Sequence, residues 1–457
     1  MNNQKRLEEM SVGKLLLEFS IPAIIGMLVN TLYNIIDRIF IGHIEGIGNL
    51  AMAGVGVTMP LMTIILAFGM LIGIGTATKI SIKLGEHDKE SAEKLLGNAF
   101  TLIIIISIFL TVFGLVFSNP LLKMFGASEN IIGYGEDFIQ VIFIGCIFNM
   151  ISFGLNHSIR SDGSPKIAMA SMLMSAIINI ILDPIFIFGF NLGVRGGALG
   201  TVVAQLISSI WILYYFTKGS STLKIRKKNL RLDKKSVMGI IAIGISPFSM
   251  QIAQSAVQII ANNSLQIYGG DIAVSAMTII VSLAMVFLMP IFGLNQGLQP
   301  IIGYNFGAKK YDRVKQAVRY GVIAATIIVT AGFIVIESAS ELLVKVFNND
   351  PSLIEVTSHG MRIFLLMLPF VGGQIIVTNY FQSTGKVKIS MLLSLLRQVI
   401  ILIPCLLIIP MFKGLDGVWI AGATSDFLSV IITYVVFVRK SRELVENKKS
   451  QKVILEN

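Results

Sequence analysis

The chain has 457 residues, 54% of them hydrophobic and only 14% charged, with 37 Lys and Arg against 26 Asp and Glu for a net charge of +11. A soluble domain carries roughly 25% charged residues, so there is too little charge here to clothe a water-soluble protein of this size. An ordinary cytosolic enzyme, a disordered chain and a disulfide scaffold are therefore excluded, the last also because Cys146 and Cys405 both sit inside apolar runs.

The first 14 residues are polar, and no short apolar stretch with a small-residue cleavage site follows Met1, so no removable signal peptide is expected. Twelve apolar runs follow, at 15–42, 51–77, 96–118, 131–159, 166–190, 194–217, 237–266, 272–303, 317–340, 357–381, 388–411 and 415–438. Each is long enough to cross a bilayer, which takes roughly 20 residues. With an even number of spans and a cytoplasmic start, 30 of the 37 Lys and Arg fall in inside segments and five in outside ones. That is the positive-inside bias of a multi-pass protein. The basic excess thus points to anionic lipid headgroups and not to nucleic acid.

Lys218 to Lys235 is the densest basic stretch and divides the chain almost in half. The halves resemble each other. Pro22 recurs as Pro247, and Gly69 and Gly73 recur as Gly293 and Gly297. Arg160-Ser161-Asp162-Gly163 recurs as Gln382-Ser383-Thr384-Gly385, and Gly193 to Gly197 recurs as Gly414 to Val418. The offset drifts only from 225 to 221, so the chain is a duplication. Six spans per copy insert both copies in one orientation, the parallel type of transporter repeat. The expected fold is an all-α integral membrane protein of twelve transmembrane helices in two pseudo-symmetric six-helix lobes. Its parts are a tail (1–14), an N-lobe (15–217), a basic linker (218–236), a C-lobe (237–438) and a second tail (439–457).

Signals of enzymatic chemistry are missing. There is no phosphate loop and no nucleophile elbow, and the histidines at 43, 87, 157 and 359 lack metal-ligand spacing. Three acids fall inside spans: Asp37, Asp183 and Asp426. A mid-membrane Asp costs about 2.5–3.5 kcal/mol on insertion scales, so such a group marks an ion path or is a satisfied structural partner. In span 1, Asn30, Tyr33, Asn34 and Asp37 share one helical stripe, and Arg38 is turned away toward the headgroups. In span 5, Asn179 and Asp183 share a face, and Pro184 leaves the carbonyl of Ile180 without its donor. These are hard oxygen ligands for Na⁺, or a place to hold a proton; Thr201 can add a hydroxyl. The second half has only the neutral stripe Gln251, Gln254, Gln258 and Asn262, and Asp426 has no comparable polar company.

The Tyr33-Asn34-Ile35-Ile36-Asp37 run, Pro22 in the same span, Asn179-x-x-x-Asp183-Pro184 and the Gly193 to Thr201 stretch resemble the multidrug and toxic compound extrusion (MATE) transporters, nearest their MepA-like bacterial branch. The resemblance covers about residues 10–440. It implies two six-helix lobes in a V, exporting cationic drugs or dyes in exchange for H⁺ or Na⁺, with no other cofactor. It assigns the coupling ion to Asp37, Asn179, Asp183 and Thr201, and bending to Pro22 and Pro184. Asn30, Tyr33, Asn34, Asn156, Gln258 and Asn262 are the expected substrate contacts. A branch of the family that uses C-lobe acids finds only Gln258 or Asn262, and Asn379, here. The expected molecule is a monomer in the bacterial cell membrane with both termini cytoplasmic. It is no enzyme and has no nucleic-acid partner. The alternative is a related flippase for lipid-linked oligosaccharides. Its pyrophosphate substrate would need several in-span cations, and only Arg38 and Arg397 are present.

Overall fold

A computed structural model describes the backbone of residues 3–347 and 349–456 and the side chains of residues 6–347 and 349–440. The charged side chains expected in the C-terminal tail beyond Lys440 lie outside the described residues. Among the described residues the chain is helical, with no strand. The first six spans are Val12–Gly42, Gly48–Val57 with Met59–Gly85, Lys89–Met124, Glu129–Ile144 with Cys146–Ser161, Pro165–Gly189, and Gly193–Thr217. They outrun the apolar windows because polar ends continue the helices into the interface; Lys89–Met124 adds several residues at each side of 96–118. The helices start on side-chain caps at Asp88, Asp233 and Asp350, whose carboxylates accept from Ser91, Ser236 and Ser352 N–H at 2.9–3.0 Å.

The second half begins with one helical run of 74 residues, Lys234–Gly307. At about 1.5 Å per residue it would reach ~110 Å, against a hydrocarbon core of ~30 Å. It is broken at Gly270, where φ 63° and ψ −161° cannot continue a helix. The run from Val387 is broken in the same way at Gly414, with φ 59° and ψ −137°. Among the described residues eight helices pass as spans by length and composition, two bent pairs make ten, and these two breaks divide two of the runs, giving twelve.

The backbone carries the duplication independently of side chains. Left-handed residues recur in order: Gly46 with Gly270, His87 with Lys309, Gly163 with Gly385, Gly193 with Gly414. Span 4 is bent by 59° around Gly145, and span 10 by 50° between Phe364 and Leu368. None of these bends was visible as a break in hydropathy, because a kinked span stays apolar throughout.

The helices pack as two compact units. One runs to Ser255 and includes Phe292–Ala317 and Gln382–Val387; the other holds Ala256–Ile291, Val318–Phe381 and Lys388 onward. The starts and ends of spans 7 and 8 join the first unit through glycines that let backbones touch. A Cβ on Gly293 would stand 2.6 Å from Ile24 Cα, and one on Gly297 2.7 Å from Ser20 N. A Cβ on Gly244 would overlap the backbone of Leu71. Gln299 Nε2 adds a hydrogen bond to Thr78 Oγ1 at 2.8 Å. Gly244→Ala is therefore expected to destabilise the protein by about 1–3 kcal/mol, the usual range for overpacking, and a thermal melt in detergent reads it directly.

In the second unit, span 11 contains a π-helical segment, Leu396–Leu402. Arg397 Nε donates to Asp426 Oδ1 at 2.5 Å, and Ser425 Oγ donates to the Arg397 carbonyl at 2.8 Å. Asp426 is thus a satisfied acid, paired with Arg397 of the neighbouring span; sequence left both readings open because partners on different spans have no register in one dimension. Removing one partner of a fully buried pair costs ~3–5 kcal/mol. Arg397 is 28% exposed, so Asp426→Ala should cost less, about 1–3 kcal/mol. The apolar pair R397M/D426L should recover most of it in the same melt.

Candidate functional site

Span 5 lies against span 1 on one side and span 6 on the other. This brings Asp37, Asn179, Asp183 and Thr201 from three helices to one place. They are 9, 2, 0 and 9% exposed. Asn179 Nδ2 donates to Asp183 Oδ1 at 3.0 Å and to Thr201 Oγ1 at 3.2 Å. Both carboxyl groups face the same stretch of span 6, Asp37 at Gly197 and Asp183 at Gly200. Three buried oxygens have no partner: Asp37 Oδ1, Asn179 Oδ1 and Asp183 Oδ2.

Glycines of span 6 make the room. A Cβ on Gly197 would stand 3.2 Å from Asp37 Oδ1, and one on Gly200 would overlap Asp183 Oδ1. Sequence reasoning took this stretch only as a family motif. The available signal was the i, i+3, i+4 spacing of Gly197, Gly200 and Thr201, which puts two missing side chains and one hydroxyl on one face.

The chemistry follows from the donor set. Two carboxylates forced together out of water repel strongly. A proton shared between them, or a small hard cation, removes the repulsion and gives the unpartnered oxygens a partner. Only two of the four side chains are carboxylates, and no cluster of three or more His, Cys, Asp or Glu exists among the described residues. All four side chains offer hard oxygen donors.

The expected substrate contacts differ in their surroundings. Tyr33 and Asn30 are half-buried. Asn34 is exposed and turns its amide back to Asn30 O at 2.7 Å. Asn156 is 4% exposed and donates to Ala168 O at 2.9 Å and Ser171 Oγ at 2.8 Å, tying span 4 to span 5. Gln258 and Asn262 are exposed on the second unit. Arg38 is exposed and reaches Met59 Sδ at 3.4 Å. Pro22 is buried inside span 1, and Pro184 ends the α-helical part of span 5, where the π-helical turn Ile185–Gly189 begins.

Twelve spans built from two copies of one six-helix unit, with a buried oxygen pocket in the first copy, define a multi-pass membrane transporter. The MatE family profile matches residues 22–185 and again 248–407, once on each half. The chain belongs to the MatE family. It is 29% identical over 431 residues to the multidrug export protein MepA of Staphylococcus haemolyticus, covering 93% of this chain and 94% of that one. Against MepA of Staphylococcus aureus it is 28% identical over 440 residues, 96% of each chain. The solved MATE multidrug transporter DinF-BH in complex with R6G is 38% identical, with a TM-score of 0.87 over 93% of this chain and 95% of that one. A MATE structure in the bent conformation superimposes with a TM-score of 0.92 at 23% identity, over 98% and 99% of the two chains, and so speaks for the fold alone.

Proposed function

We propose that the protein is a multidrug efflux antiporter of the bacterial plasma membrane, exporting cationic amphipathic compounds in exchange for H⁺ or Na⁺. The observation that carries this reading is the trio of unpartnered oxygens around two adjoining buried carboxyl groups. An inward-moving cation binds Asp37 and Asp183 with Asn179 and Thr201; its arrival displaces a drug cation held by the same charge. Alternating exposure of the pocket to the two membrane faces, with Pro22 and Pro184 as bending points, turns that competition into export. The halves 15–217 and 237–438 act as the moving bodies of a monomer, joined by 218–236, with both termini inside. Asn30 and Tyr33, beside the acids, make the first contacts with substrate. The export names of the MepA relatives and the R6G complex of the DinF-BH structure support the substrate class.

Proteoliposomes loaded with a cationic dye test this. An imposed pH or Na⁺ gradient, inward-directed for the ion, should drive dye the opposite way, and whichever of the two works identifies the ion. Equal dye movement with and without a gradient would make the protein a passive channel.

A further inference from the structure

The segment between spans 6 and 7 is a folded strap. Asp162, at the turn between spans 4 and 5, accepts the Tyr215 hydroxyl at 2.6 Å and the N–H groups of Thr222 and Leu223 at 2.9 and 3.1 Å. Leu223 is fully buried. Further on, Asn98 of span 3 donates to Asn229 O at 3.1 Å and accepts from Asp233 N–H at 2.7 Å. Thr101 Oγ1 donates to Leu230 O at 2.7 Å. The strap is thus fastened along the first four turns of span 3.

Some of its charge is neutralised within the protein. Arg226 pairs with Glu93 at 2.9 Å, Lys228 with Glu90 at 3.5 Å, and Asp233 with Lys94 at 3.1 Å. The Ser236 N–H and hydroxyl hold the Asp233 carboxyl down at about 2, so it stays an anionic cap. Lys227, Arg231, Lys234 and Lys235 are exposed and make no ion pair among the described residues. Leu232, between them, is 41% exposed.

Depth decides what meets these cations. Span 3 has 36 residues, about 54 Å of helix, well beyond the ~30 Å core. Its apolar run begins only at residue 96, so the early turns, whose Glu90, Glu93 and Lys94 pair with the strap, stand in the headgroup layer. A row of free cations around an exposed leucine, on a backbone already ordered, matches a layer of phosphate esters above acyl chains. We propose that the 224–235 strap is a docking surface for anionic phospholipid headgroups.

The test uses the full chain in nanodiscs of phosphatidylcholine doped with phosphatidylglycerol, with lipid retention read by native mass spectrometry. Each cation near an anionic surface contributes roughly five-fold in affinity. The K227Q/R231Q/K234Q/K235Q variant changes only exposed side chains, so it should melt like the wild type yet lose phosphatidylglycerol retention by about a hundred-fold or more. Replacing the three lysines by arginine should keep it. N98A/T101A retains every cation but unfastens the strap, and retention should fall severalfold. Wild-type retention in the Gln variant overturns the proposal, and wild-type retention in N98A/T101A removes the preformed strap from it. Displacement of the lipid by millimolar inorganic phosphate would make the surface a free-phosphate site instead.

Discussion

Replacing Asp183 by asparagine is expected to abolish dye export and leave the protein at least as stable as before. Asp183 is fully buried, and Asn179 Nδ2 donates to its Oδ1 at 3.0 Å. An asparagine amide oxygen accepts that same bond, so the packing survives. What disappears is the second negative charge, on which the proposed uptake and release of a cation depends. An ionisable group at this depth costs about 2.5–3.5 kcal/mol to insert; removing the charge should raise the melting temperature or leave it unchanged. A purely structural acid would behave in the opposite way. In cells or proteoliposomes, the proposed exchange should let the wild type hold a dye ratio of about fifty-fold for each charge moved down 100 mV, since that step supplies ~2.3 kcal/mol. The variant should hold a ratio near one. Asp37→Asn should do the same, and the double variant should add little, as the proposed joint binding of one cation requires. Export at the wild-type rate in either single variant removes the pair from the coupling step.

How much of this was legible beforehand differs by element. Span number and class follow from hydropathy alone, since each run must satisfy its own backbone in lipid and only a helix does so. The grouping of Asp37, Asn179 and Asp183 came from helical periodicity, which fixes faces within a span; the family resemblance supplied the pairing of spans. Periodicity is silent about how far a side chain can go before meeting another helix. Asn156 is an example: its amide ties span 4 to span 5, a contact periodicity does not carry. Asp426 and Arg397 sit on neighbouring spans 29 residues apart, and only packing shows that they neutralise each other. The linker read as a charged loop because composition reports Lys and Arg and is blind to the carbonyls of residues 229–231, which Asn98 and Thr101 bind.

Gly200→Ala is the sharper test, because it alters the pocket without touching any polar atom in it. The added methyl would overlap Asp183 Oδ1, so the carboxylate must rotate away and give up the Asn179 bond. The acid remains ionisable and buried, but its oxygens no longer converge with Asp37 Oδ1 and Asn179 Oδ1. A misplacement of about 1 Å can cost on the order of a hundred-fold where geometry carries the function, and dye export should fall by at least that much. Two neighbours calibrate the result. Gly197→Ala, with its Cβ 3.2 Å from Asp37 Oδ1, asks for a shift of a few tenths of an ångström, and export should fall only severalfold. Gly196→Ala would set its Cβ 2.6–2.7 Å from the backbone of Phe186 and Ile187, which cannot yield as a side chain does, so there the melting temperature should drop by several degrees. If Gly200→Ala instead loses stability as Gly196→Ala does, the glycine serves helix packing. If it exports like the wild type, the oxygens of span 5 need not meet those of span 1, and the ion is held elsewhere.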